Sequence, residues 1–168
     1  MNLFELTFFR SGTKKPLGLA SESTFPLPTL GKALGDLSRE IHTGRGFSVV
    51  RGIPVAKYSR EDNVIIYAGL SSYIGSLRGL QDGKNGVISH ITDLQPTHGS
   101  RAIGSPAYTT DKQVFHTDSG DIISLFALDI AAEGGTSLIS SSWRVYNHLA
   151  EIRPDLINTL VEPWPVDE

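Results

Sequence analysis

The chain has 168 residues, of which 39% are hydrophobic and 20% charged, with a formal net charge of -3. This is the balance of an ordinary mildly acidic globular domain. The basic residues are scattered and form no cationic stripe, so no nucleic-acid partner is expected. There is no cysteine, which excludes disulfides, thiolate metal sites and a cysteine nucleophile. No apolar run reaches the length of a membrane span, so the expectation is no membrane partner and a cytoplasmic location.

Residues 1–28 read as an extended N-terminal arm. A short apolar start carries Glu5 where a secretory peptide would want basic residues, and residues 11–16, Pro26 and Pro28 punctuate the rest of the arm. Across residues 29–43, Leu30, Ala33, Leu34, Leu37 and Ile41 recur at three and four, the spacing of one helix face, with Thr29 as N-cap and Gly44 just past the end. Residues 46–53 are rich in strand formers and stop at Pro54. Ser59 and Asp62 resemble a capping box with Asp in place of Glu. They open a helix whose apolar face reads as Val64, Ile65, Ala68, Leu70 and Ile74, ending at Gly75.

A glycine-rich loop at 79–86 precedes an alternating strand at 87–92. Residues 93–112 have little periodicity, and so long a connection in a compact domain is more often functional than idle. Residues 122–130 form a continuous apolar run, which predicts a strand buried on both faces. Glu133, Gly134 and Gly135 then turn the chain into a short strand at 136–140. Ser140 to Ser142 supply N-caps for a helix carrying Val145, Leu149 and Ile152, and Pro154 starts a second helix through Val161.

The stretch with chemistry in it is Phe115-His116-Thr117-Asp118-Ser119-Gly120-Asp121. A strand has a period of two, so His116 and Asp118 share a face, roughly 6 to 7 Å apart along the backbone. One His and one Asp are two of the three groups in the 2-His-1-carboxylate set that holds ferrous iron. On spacing alone, the same pair also reads as a histidine hydrogen-bonded to a neighbouring carboxylate. Asp121 falls on the opposite strand face and suits a supporting role better than ligation. His90 reads as structural on its strand, His98 lies in the long loop, His148 is on an exposed helix face, and His42 is explained by its place in the last turn of a helix. There is no Gly-x-Ser-x-Gly elbow and no phosphate-binding glycine loop.

Taken together, His116-Thr117-Asp118 with the apolar run after it, the stretch from Glu133 to Ser141, and Arg153-Pro154-Asp155-Leu156 resemble the TauD/TfdA family of iron(II)- and 2-oxoglutarate-dependent dioxygenases. Gly44 to Phe47, Tyr58 to Asn63 and Ser105 to Asp111 look like its fungal branch, and the likeness runs from about Phe25 onward. It implies an α+β fold, a partial double-stranded β-helix (jelly roll) with flanking helices, with residues 29–168 as the N-terminal part of such a domain. It implies His116 and Asp118 as Fe(2+) ligands, and Ser137, with Thr136 beside it, as the hydroxyl contact to 2-oxoglutarate. It also implies oxidation of a small-molecule substrate with release of succinate and CO2. The family's second His and its 2-oxoglutarate-binding Arg match no position here, so the expectation is a truncated chain, weak as an enzyme alone. Its sheet edge would then be left uncovered for self-association. The alternative is a non-catalytic remnant acting as an interaction or metal-binding module.

Overall fold

The computed structural model describes residues 17–81, 86–98 and 103–165. The apolar start and residues 11–16, residues 82–85 of the 79–86 loop, residues 99–102 of the long connection, and residues 166–168 lie outside the described set. Two compact units divide the chain, one made of Met1–Gly35 with Pro54–Phe126, the other of Asp36–Ile53 with Ala127–Glu168.

Helix α1, Gly31–Thr43, brings Leu34 of the predicted face into the core, with Leu30, Leu37 and Ile41 half-buried and Ala33 exposed. It begins at Gly31 rather than at Thr29, with backbone bonds from Gly31 N–H to Leu27 O at 2.6 Å and from Leu34 N–H to Leu30 O at 3.0 Å across its start. At its end the Glu40 carbonyl accepts from both Gly44 (3.0 Å) and Gly46 (3.4 Å). Gly46 takes φ +82°, the left-handed conformation that closes such a cap.

Helix α2, Arg60–Ser71, opens on the predicted cap. Ser59 Oγ accepts from Asp62 N–H at 3.1 Å and donates to Asp62 Oδ2 at 2.8 Å. Its buried face is Asn63, Ile66, Ala68, Gly69 and Leu70, turned away from the expected Val64 and Ile65. The reason is what it packs against. The segment leading into α1 supplies Ala20, Phe25 and Leu27, and these join Leu34, Ile66, Ala68 and Leu70 as the buried apolar core of the first unit.

Three side chains fasten this unit. Tyr73 Oη accepts from Leu27 N–H at 2.8 Å and donates to Phe25 O at 3.0 Å. Arg78 donates to the carbonyls of Gly75, Ala20 and Ala68 at 2.7, 3.2 and 3.3 Å, and burial pulls its pKa below the usual arginine value. Asn63 Nδ2 donates to Val55 O at 3.0 Å and Tyr58 O at 3.4 Å, tying the 3-10 turn Val55–Lys57 to α2.

The long connection after residue 93 contains a one-turn helix α3, Gln95–His98, and a 3-10 turn, Pro106–Tyr108. In the second unit, α4 (Ser142–Ile152) is followed directly by α5 (Pro154–Leu160), the two packing together. Ser141 holds the α4 N-cap position without a side-chain cap bond. No described side chain of residues 36–53 or 127–165 is fully buried.

The fold class differs from expectation. Among the described residues there are helices and irregular chain but no β-strand, and so no partial jelly roll and no α+β sheet. The stretches 46–53, 87–92, 122–130 and 136–140 are each irregular chain. The run expected to be buried on both faces instead exposes Leu125 (75%) and Ile130 (87%). β-branched and apolar composition records how well a side chain suits a pleated, half-covered surface. It does not supply the second strand, about 4.8 Å away, whose N–H and C=O groups make the ladder. The sheet edge expected to drive self-association is therefore absent among the described residues, although the exposed apolar side chains remain.

Candidate functional site

His116 and Asp118 lie in the first unit on an irregular, solvent-facing stretch, their side chains 53% and 58% exposed. His116 Nδ1 is 2.8 Å from the Val114 carbonyl oxygen. A carbonyl only accepts, so Nδ1 carries a proton, and in the neutral ring Nε2 is then the nitrogen that holds the lone pair. Nε2 and Asp118 Oδ1 are 3.7 Å apart. Neighbouring ligands on a first-row metal ion, with bonds near 2.0–2.1 Å, sit about 3 Å from each other. The observed 3.7 Å is wider than that spacing, and the Nδ1–H to carbonyl bond is the support a metal-binding imidazole usually has. The pair thus fits a metal as two donors. No group of three His, Cys, Asp or Glu side chains able to hold an ion occurs among the described residues.

The other histidines are elsewhere. His42 Nδ1 donates to Ser38 O at 2.7 Å in the last turn of α1, and His98 Nδ1 is 2.7 Å from Thr97 Oγ1 at the end of α3. His90 is exposed on irregular chain, and Asp121 is exposed just after Gly120. His148 is exposed on α4, where it lines a shallow cleft of about 290 Å³ with Ser140, Arg144, Val145 and Leu149.

Thr136 and Ser137 belong to the second unit, where both are exposed. They follow a turn that only glycine suits: Gly134 and Gly135 have φ of +72° and +68°, and a Cβ on Gly135 would lie 2.9 Å from that of Ala131.

Sequence reasoning missed Tyr67. Its ring stacks on Phe126 with centroids 5.2 Å apart and planes 10° off parallel, and its hydroxyl donates to Ser124 O. Nothing in local spacing signals a contact across 57 positions.

Residues 12–166 match the family model described as taurine catabolism dioxygenase TauD, TfdA family. The chain belongs to the TauD/TfdA family. It is 43% identical over 164 residues to the taurine hydroxylase-like protein SAT17 of Stachybotrys chartarum, covering 95% of this chain and 42% of the relative. It is 24% identical over 136 residues to the FR-33289 synthase of Streptomyces rubellomurinus, covering 79% of this chain and 39% of that protein. The chain thus spans about two fifths of the length of these curated relatives. No solved structure matches it. Membership of the TauD/TfdA family points to an oxidoreductase of the dioxygenase type, in a family generally dependent on Fe(II) and 2-oxoglutarate. Among the described residues no helix is long and apolar enough to cross a membrane.

Proposed function

We propose that this TauD/TfdA chain carries part of the centre of an iron(II)- and 2-oxoglutarate-dependent dioxygenase that oxidises a small organic molecule. The observation that supports the reading most is the His116 and Asp118 pair. A hydrogen bond fixes the imidazole tautomer that leaves Nε2 free, with a carboxylate oxygen 3.7 Å away. When bound, the iron supplies the centre at which 2-oxoglutarate is converted to succinate and CO2 while the second substrate is oxidised. The chain's own residues hold and orient. Val114 O keeps the His116 ring turned outward, Asp118 contributes negative charge that a divalent ion offsets, and Ser137, or Thr136 next to it, offers a hydroxyl to a 2-oxoglutarate carboxylate. The name of the Stachybotrys relative supports hydroxylation as the kind of oxidation.

Equilibrium dialysis of the 168-residue protein against Fe(II) without oxygen tests the site. Binding should be weak, since the described residues offer two clustered donors, and His116→Ala or Asp118→Ala should lower it by at least about tenfold, the smallest loss usual even for a ligand's supporting partner. Unchanged affinity in both variants would overturn the assignment. Iron-dependent succinate formation by this chain alone should be slight. A second reading, as an association module, is favoured by the exposure of Leu125, Ile130 and Leu138.

A further inference from the structure

The chain around the proposed metal pair is held from two sides, and one of the holds is a single side chain. Upstream, Leu94 N–H donates to Tyr108 O at 2.9 Å and Thr110 Oγ1 donates to Gln95 Oε1 at 3.2 Å. From Asp111 to Ile123, the described hydrogen bonds and the His116–Asp118 contact all reach no more than two positions along the chain: Asp111 to Thr109, Gln113 to Asp111, His116 to Val114 and His116 to Asp118. Those upstream bonds close the long connection on itself; a tie to a distant part of the first unit comes from Tyr67 on α2, which donates to Ser124 O and stacks on Phe126. The pair therefore lies in a span whose downstream end is fastened by Tyr67.

We propose that Tyr67 is a positioning residue for the His116 and Asp118 centre. This rests on reading that pair as metal ligands, and it assigns Tyr67 no contact with the metal. The physical ground is entropy. A span tied at both ends samples fewer conformations than one tied at a single end, so less freedom is lost when a metal fixes its two donors. Tyr67 is suited to the task because it fastens twice, through its ring face and through its hydroxyl, and because α2 is the helix that carries the core residues Ile66, Ala68 and Leu70.

The test is Co(II) titration of the full 168-residue protein, following affinity and the visible absorption of the bound ion, at a temperature where circular dichroism shows each variant folded. Tyr67→Leu, which loses both fastenings, should weaken Co(II) binding by about tenfold and alter the absorption band, as when a group that orients a ligand is removed. Tyr67→Phe keeps the stack and loses the hydroxyl, so it should fall between Tyr67→Leu and the parent. Phe126→Leu removes the stack from the other side and serves should Tyr67→Leu fail to fold. Parent-like affinity and absorption in Tyr67→Phe and Phe126→Leu, with binding abolished by His116→Ala, would overturn the positioning role and leave the site standing. Parent-like binding in His116→Ala would overturn the site, and the role of Tyr67 with it.

Discussion

Gly69 lies with its Cα against the ring of Phe25, so close that a Cβ would overlap the ring carbons. Both residues are buried, Phe25 to 1% exposure, and the absence of a side chain at 69 lets the segment before α1 settle onto α2. Two effects compete in Gly69→Ala. Alanine favours a helix interior by about 1 kcal/mol over glycine, while forcing a methyl into a filled core costs about 1–3 kcal/mol. The clash is with a fully buried ring that has nowhere to turn, so the substitution should be destabilising in urea unfolding. Combining it with Phe25→Leu should cost less than the two single losses added together.

Tyr73 carries a second, polar fastening of the same segment. Its hydroxyl serves Leu27 N–H and Phe25 O at once, 46 and 48 positions away. Tyr73→Phe preserves the ring that closes over Gly31, where a Cβ would come to 3.1 Å, and removes only the oxygen. The loss should be about 1–3 kcal/mol, from part-buried backbone groups deprived of that partner. Hydrogen exchange should report it as faster exchange at Leu27 N–H, with little change at the N-cap of α2.

What was legible in the sequence was what is local. The apolar spacing in α1, the Ser59–Asp62 cap, the Gly134–Gly135 turn and Pro154 at the head of α5 each depend on neighbours within four residues, and each is where it was expected. The rotation of α2 was not legible, because its buried face is chosen by Phe25 and Leu27 from a different part of the chain. The predicted strands failed for a related reason. Val49, Leu125 and Ile139 have the composition of strands, yet a strand exists only with a partner, and composition does not name one. The His116 and Asp118 spacing was visible at once, whereas Tyr67, which fastens the chain beyond them, could be found only in three dimensions.

Acid should weaken two surface pairs in a readable order. The hydrogen bond from the Arg45 side chain holds the Glu40 carboxyl below its ordinary 4.5, and that from Arg153 holds Asp155 below 3.8. A carboxyl whose folded pKa is depressed contributes its full stability above the unfolded value and loses it as pH falls through the folded one. These contributions should therefore be constant above about pH 5 and fade progressively below pH 4.5 for Glu40 and below pH 3.8 for Asp155. Carboxyl NMR titrations check the direction: Arg45→Ala should raise the Glu40 midpoint, and Arg153→Ala that of Asp155. A midpoint that stays put would show that the guanidinium is not the cause.

The second unit exposes much of its apolar surface. Ile130, Leu138 and Ile139 are 87%, 71% and 62% exposed, and Trp143 on α4 is 75% exposed while meeting Tyr146 edge to face at 6.2 Å. Scattered exposed apolar residues are normal on a protein surface, but several large ones within one short stretch are a common mark of association. The self-association expected from the sequence would then run through these exposed side chains of residues 130–143. Sedimentation velocity should show a sedimentation coefficient that rises with protein concentration, and Ile130→Lys together with Leu138→Lys should shift the distribution towards monomer. Neither substitution removes a buried side chain, so the helical circular dichroism should be unchanged and the effect assignable to the surface. A parent protein that sediments as a monomer across a hundredfold range of concentration, roughly 3 kcal/mol of association free energy sampled without response, would refute the association.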